Sequence, residues 1–512
     1  MFYALFQEKF QLLDILSVIL YNSLYDVKVL KHKSFKAENS NDDQRYGRDS
    51  VADGQIQKEK GRGKMAVKIL LLIVFFAIMI GVGFYSRKNA TNVNDFVLGG
   101  RGVGPWLTAF AFGTSYFSSV VFVGYAGQFG WKYGLASTWI GLGNAFIGSL
   151  LAWLVLGRRT RVMTQKLDAK TMPEFFGKRY DSKALRLAGS VIAFVFLVPY
   201  PASIYNGLSR LFGMAFDIDY KVCIIVMALL TAVYVIVGGY MATALNDFIQ
   251  GIIMLIGICA VIGAVLNGKG GFLNAIKELS VIPADDVAVP ALQGGQGLFA
   301  SFFGPDPLNL LGVVILTSLG TWGLPQMLST LPDILIGIVI VLVLSASMST
   351  LSSLVLTSSS TLTLDFIKES VVKNMSDKTQ LVVMRVLVAG FIILSVVLAL
   401  NPPTFIAQLM GISWGALAGA FLAPFMYGLY SKNITKAAVW ASYIVGVGIT
   451  VSNMFLKFIA SPINAGAITM IVGLIVVPVV SLITPKMNKE YVEEIFTCYD
   501  ETVVVHKTKS LE

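Results

Sequence analysis

From Ala66 to Thr484 the chain repeats predominantly apolar runs of roughly 20 residues, each enough to cross a hydrocarbon core of about 30 Å. Backbone immersed in lipid must satisfy its own hydrogen bonds, so a chain patterned this way is expected to fold as an all-α, polytopic membrane domain. With 55% hydrophobic and only 14% charged residues, a soluble core of this composition is excluded. Twelve spans are expected: Ala66–Tyr85, Pro105–Gln128, Leu135–Leu156, Leu187–Phe212, Val222–Val237, Asn246–Leu266, Leu308–Leu328, Leu331–Leu362, Met384–Leu400, Phe405–Tyr430, Ala437–Leu456 and Ala467–Thr484. Gly102 and Gly104 before Pro105, and Pro402 and Pro403 after Leu400, support these boundaries.

The formal charge of +10 comes from Lys and Arg in loops and tails. It reads as orientation signal and contact with anionic lipid rather than a nucleic-acid footprint. Arg87 and Lys88 follow the first span, and Arg158, Arg159 and Arg161 the third, so both of these ends are expected in the cytoplasm. Met65 and the loop Asn267–Pro307 then lie outside. Beyond that loop, simple alternation fails. No Lys or Arg occurs between Lys277 and Lys368, although the connector Ser329–Thr330 should be cytoplasmic. Alternation also throws Lys368, Lys373, Lys378 and the tail after Thr484 outside. One further span between Leu328 and Leu331 would restore agreement and bring the count to thirteen. A segment reads as missing.

Residues 1–64 do not resemble the rest. Met1–Val27 can form an amphipathic helix, but Glu8, Lys9 and Asp14 suit neither a signal peptide nor a span, and Lys31–Lys64 reads as disordered. The alternatives for this leader are a regulatory tail or a mis-assigned start ahead of Met65. Residues 65–484 form the expected transmembrane domain, and 485–512 a tail too short for an output domain. Cys223, Cys259 and Cys498 lie far apart, so neither a disulfide framework nor a zinc site is indicated. The two histidines, His32 and His506, lie in the tails, which removes histidine catalysis and histidine metal sites from the bundle.

The richest stretch is Leu331–Asp365, which starts lipid-compatible and turns hydroxyl-rich. Ser345, Ser349, Ser352 and Ser359 recur on one helical stripe, with Thr350 and Ser353 beside it. Side-chain oxygens and a backbone carbonyl at Ala346, Ser349 and Thr350 offer what a bare alkali cation needs in place of water. The alternative is that these hydroxyls bond carbonyls of their own helix. In Asp95–Gly130 a glycine-rich turn leads into GTSYFSS, small and polar residues at mid-span. That pattern reads either as a helix broken at a binding site or as a packing face. Gly238–Gly251 carries Asp247 at the expected start of a span, as a cap or as an ion-pathway carboxylate. Thr317–Leu328 holds Trp322, Pro325 and Gln326, a kink or the lining of a solute pocket. Gly415–Tyr430 reads as a small-residue helix for close packing.

Taken together, DFVLGGR, TMPEFFGKRY (Thr171–Tyr180), GGYMATALNDFIQ, ASMSTLSS and TLTLD resemble the sodium/solute symporter family over about 65–484. The resemblance implies a leucine-transporter-like core of two inverted five-helix repeats with additional spans. It implies a co-transported sodium ion held by carbonyls of Thr114, Phe117 and Ala346 and hydroxyls of Ser349 and Thr350, with Asp247 near the ion's inward path. Solute contacts are implied at Ser118, Ser119, Trp322, Pro325 and Gln326. Family members carry a further core helix where this chain has only Ser329 and Thr330, so the hydroxyl-rich helix is expected to enter from the wrong side.

The expected function is sodium-coupled uptake of a small polar organic solute, such as an amino acid or carboxylate, across the plasma membrane. No organic cofactor, nucleic acid or obligate protein partner is implied beyond that solute and the lipid bilayer. The alternatives are a transport-deficient remnant and a membrane solute sensor. Enzymatic activity is not expected, since no nucleophile and base pairing is visible.

Overall fold

All regular structure among the described residues is helical, as a bilayer requires. The computed structural model describes residues 69–86, 93–98, 110, 113–114, 126–216, 219–283, 294–320, 333–372, 374–401 and 406–500. The leader 1–64 lies outside them. In chain order the helices are α1 (Ile69–Ser86), a short α2 (Val93–Leu98), α3 (Phe129–Lys166), α4 (Met172–Arg179), α5 (Lys183–Leu197), α6 (Pro199–Phe216) and α7 (Tyr220–Gly268). There follow α8 (Phe272–Val281), α9 (Pro307–Gly320), α10 (Asp333–Thr361) with a π-helical extension (Leu362–Val371), and α11 (Asp377–Leu400). The last are α12 (Ile406–Tyr430), α13 (Lys436–Leu456), α14 (Pro462–Ile483) and α15 (Lys489–Phe496). Nine stretches among the described residues are long and apolar enough to cross a membrane.

Several helices start earlier than their apolar runs because a capped, charged turn precedes the hydrocarbon. Ser182 accepts from the Leu185 amide at the start of α5, and Ser376 from the Thr379 amide at the start of α11. At 49 residues α7 would be about 73 Å long if straight, more than twice the membrane core. It turns back at Gly239, whose φ of 56° and ψ of −152° leave the helical region. A Cβ there would stand 2.6 Å from the ring of Phe96, so α2 closes against the turn where only glycine fits.

The two membrane faces separate by charge. On one, Arg159 donates to the Leu429 carbonyl at 3.0 Å and stacks on Tyr430 and Tyr499. On the same face Arg179 donates to the Gly428 and Ser431 carbonyls at 2.8 Å each, and Arg186 pairs with Asp365. Helix α15 joins this face through Tyr491, which donates to the Lys178 carbonyl, and through the Lys432–Glu493 pair. The opposite face carries Lys132 with Asp306 at 3.8 Å and Lys269 with Glu278. The arginine-rich face is cytoplasmic by the positive-inside rule.

That assignment overturns the expected direction of the hydroxyl-rich helix. Helix α9 starts at the outer face, where Gly304 packs on Tyr133, and runs inward, with Val314 and Ser318 against Gly143. Helix α10 also runs inward, because its extension ends at Arg186 on the cytoplasmic face. Consecutive helices therefore run parallel, with residues 321–332 between them. Alternation counting fails here, and Lys368 and residues 485–500 lie on the cytoplasmic face. What fixes α10 is pairing along its length, to Thr114 at mid-depth and to Thr171 and Arg186 at its inner end.

Helices α12, α13 and α14 form the tightest part of the bundle. A Cβ on Gly446 would lie 2.8 Å from Ala420 Cα, one on Gly415 2.8 Å from Gly466 Cα, and one on Gly473 2.9 Å from the Gly419 carbonyl. Pro424 within α12 leaves the Ala420 carbonyl without its helical amide, and the Ser442 hydroxyl donates to it at 2.9 Å.

Candidate ion site and its cytoplasmic cavity

The hydroxyl stripe of α10 divides in two. Ser352 donates to the Ser349 carbonyl at 2.8 Å, Ser359 to the Val355 carbonyl at 2.8 Å, and the adjoining Thr363 to the Ser359 carbonyl at 2.8 Å. These side chains satisfy their own helix. Ser349 does not. Its hydroxyl reaches across to Thr114 Oγ1 at 3.0 Å, and Thr114 in turn donates to the Phe110 carbonyl at 2.7 Å. Thr350 donates to the Ala346 carbonyl at 3.1 Å. Thr114, Ala346, Ser349 and Thr350 are buried to 3% exposure or less, and their hydrogen bonds gather four of the five residues expected to hold sodium in one buried region. Phe117 lies outside the described residues, as do Ser118, Ser119, Trp322, Pro325 and Gln326.

Asp247 joins this group from α7. Because α7 turns at Gly239 rather than starting near Asn246, Asp247 sits inside a helix and is not its cap. It is 1% exposed, one of the most deeply buried carboxylates of the chain, and among the described residues its Oδ1 has no hydrogen-bond partner. An intramembrane carboxylate with an uncommitted oxygen, beside hydroxyls and carbonyls, is a donor set that fits a hard monovalent cation. Gly251 lets the two sides approach, since a Cβ there would stand 2.7 Å from Thr114 Cγ2. Phe248 packs edge-on to Phe110 at 4.9 Å between ring centroids. The neighbours of Asp247 have a different task. Asn246 donates to the Met79 carbonyl at 3.4 Å and Gln250 to Met79 Sδ at 3.0 Å, which ties α1 to the bundle.

Below the site lies a cavity of about 300 Å³. Thr243 and Ser353, which line it, are each one helical turn from Asp247 and Ser349. Phe421 and Phe425 of α12 form an apolar wall, and residues 170–173, ahead of and opening α4, form the cytoplasmic floor. Beside that floor stands a cluster that reading the sequence did not assign: Arg186 contacts Asp365 at 2.8 Å, Glu174 at 3.3 Å and Glu369 at 3.2 Å. TLTLD and TMPEFFGKRY were visible as separate motifs. Their meeting was not, because Thr171 and Asp365, which join them, stand 194 residues apart, and Arg186 lies beyond both motifs.

Comparison with known proteins follows this geometry. The sequence profile of the Sodium:solute symporter family matches residues 96–329 and 324–446. The sodium/proline symporter of Staphylococcus aureus (strain JH9) is 30% identical over 482 residues, covering 82% of this chain and 93% of that protein. The osmoregulated proline transporter OpuE of Bacillus subtilis (strain 168) is 28% identical over 433 residues, covering 75% of this chain and 88% of its own length. A structure of a substrate-bound, outward-open Na+-coupled sialic acid symporter superposes with a TM-score of 0.60 at 17% identity, covering 83% of this chain and 99% of that one, which shows a shared fold. The profile match breaks at 324–329, within the connection between α9 and α10. The OpuE alignment spans more positions than the 75% of this chain it covers, so tens of that relative's residues have no counterpart here. A multi-pass helical protein with this match over most of its length belongs to the sodium:solute symporter family.

Proposed function

We propose that this protein is a sodium-coupled symporter that carries a small polar organic solute inward, with an amino acid of the proline type as first candidate. The relatives named for proline support that choice. One sodium ion is held by carbonyls of Thr114, Phe117 and Ala346 and hydroxyls of Ser349 and Thr350, and Asp247 stands on its inward path. The solute is held by Ser118, Ser119, Trp322, Pro325 and Gln326. The observation that carries this reading is the 3.0 Å hydrogen bond between Ser349 and Thr114, which gathers hydroxyls of two distant segments beside a buried carboxylate. An ion bridging those segments would stabilise the state open to the outside. A potential of about 100 mV supplies about 2.3 kcal/mol and a tenfold sodium gradient about 1.4, enough to hold a neutral solute at a gradient of roughly several hundredfold.

The test is uptake of radiolabelled proline into liposomes containing the purified protein, with and without an inward sodium gradient. Wild type should accumulate proline only with sodium. Ser349→Ala should lose about tenfold or more of the sodium-stimulated rate while its thermal stability falls by only about 1 kcal/mol. Unchanged sodium dependence in both Ser349→Ala and Thr350→Ala would sink the ion site. A second reading, a member that binds but does not transport, is favoured by the parallel course of α9 and α10. Sodium-dependent solute binding without accumulation would select it.

A further inference from the structure

We propose that Arg186, clamped between Asp365, Glu174 and Glu369, is the latch that holds the floor of the cytoplasmic cavity shut, and so a positioning residue for release of ion and solute. The proposal rests on the symport reading. Its geometry starts at the floor. Thr171 caps α4 by accepting from the Glu174 amide at 3.2 Å, and Glu174 accepts from the Lys170 amide at 2.9 Å, so the turn over the cavity is held from both sides. The Thr171 hydroxyl also donates to Asp365 Oδ2. Arg186 Nε donates to the other Asp365 oxygen at 2.8 Å, and Nη2 donates to the Leu364 carbonyl at 3.2 Å. Three elements meet at one guanidinium: the floor through Glu174, α5 through Arg186 itself, and the inner end of the hydroxyl helix through Asp365 and Glu369. Helix α4 sits directly on the stem of Arg186, where a Cβ on Gly177 would stand 2.8 Å from Arg186 Cβ.

Asp365 is fully buried, and its two oxygens are taken up by the floor and by the latch. Lifting the floor to empty the cavity separates Thr171 and Glu174 from partners that remain with α10 and α5. A buried pair whose members lose one another leaves a desolvated charge behind unless water enters. Water entry is what opening supplies, so the closed state holds until the floor and the ion site reorganise together. The apolar wall at Phe421 and Phe425 stays with α12, on the tightly packed side of the bundle.

The test replaces Cys223, Cys259 and Cys498, introduces Ser360→Cys at a buried position of the cavity lining, and measures its labelling by a charged, membrane-impermeant thiol reagent in inside-out vesicles. Asp365→Asn and Arg186→Lys should each raise the labelling rate by about tenfold or more, the lysine keeping a cation but not the fork. Labelling at the parent rate in either variant, at parent abundance and thermal stability, overturns the latch. If Asp365→Asn fails to accumulate in the membrane, Arg186→Lys alone decides. Absence of proline uptake by the unmodified protein would count against the transport reading and leave this accessibility measurement intact, so the two failures are distinguishable.

Discussion

Where α12, α13 and α14 meet, glycine replaces side chain and the backbones touch: Gly446 against Ala420, Gly415 against Gly466, Gly473 against Gly419. Where α7 meets α10, the space is filled by hydroxyls, a carboxylate and, one turn lower, a cavity. Both interfaces bury polar atoms in a bilayer that offers them no partners. In the first, Ser442 covers the carbonyl that Pro424 leaves open, and the backbones close to contact. The second, among the described residues, leaves Asp247 Oδ1 without a partner and lets Ser349 bond across to Thr114. The first is closed backbone against backbone, while the second sets a hydroxyl pair beside a buried carboxylate, the lining an ion would need. On the symport reading, α12–α14 would be the frame and α7–α10 the part that moves.

The largest expected effect breaks the frame. Gly446→Leu forces side chain into backbone across α12 and should destabilise the protein by about 1–3 kcal/mol or more. Gly448, on the same helix with nothing within 4 Å, is the control and should tolerate leucine. Thermal unfolding in detergent reads both. If Gly446→Leu unfolds no earlier than Gly448→Leu, the triad is not the rigid side and the contrast fails.

How far the contrast was legible in the sequence depends on the distance over which each signal acts. The apolar runs and the hydroxyl stripe are local, and both are helical where their residues are described, most of the expected span Pro105–Gln128 lying outside them. The stripe gives a face but not a partner, so nothing in the spacing separates Ser349, which reaches Thr114, from Ser352, which bonds its own helix. Asp247 was placed at a helix start because the apolar run before Gly239 hides a turn that depends on one positive φ. The direction of α10 was misread because alternation counts spans, whereas packing against Thr114 and Arg186 sets direction. The Arg186 cluster joins residues far apart in the chain, and single-sequence patterning carries no such pairing.

A smaller change should sharpen the contrast from the moving side. Gly251→Ala puts a methyl group 2.7 Å from Thr114 Cγ2 and presses on Phe110, without touching α12–α14. The half-saturating sodium concentration should rise by about tenfold, equivalent to about 1.4 kcal/mol, with a smaller loss of stability than Gly446→Leu causes. Sodium titration of proline uptake or binding measures the first and thermal unfolding the second. A stability loss as large as that of Gly446→Leu, with sodium affinity unchanged, would place Gly251 in the frame instead.

The smallest effect lies where the moving side reaches water. Lys183 pairs with Glu369 at 3.0 Å, both half-exposed, and its hydrogen bond, with the nearby Arg186 and Lys368 charges, holds the Glu369 carboxyl below its ordinary range. A lowered carboxyl contributes stability above its ordinary value and loses it as pH falls through the lowered one. From about pH 6 to 8 the Glu369 carboxylate is therefore fully ionised and its contribution flat. An exposed pair is worth at most about 1 kcal/mol, so Lys183→Ala should change labelling of Ser360→Cys by less than about fivefold. Raising the salt concentration to about 1 M should reproduce much of that change in the unmodified pair, because the charges are screened within a few ångströms. A change as large as that of Asp365→Asn would mean that the latch is governed at the surface rather than at the buried fork, and the division between a fixed frame and a dry, switchable interface would have to move outward to include it.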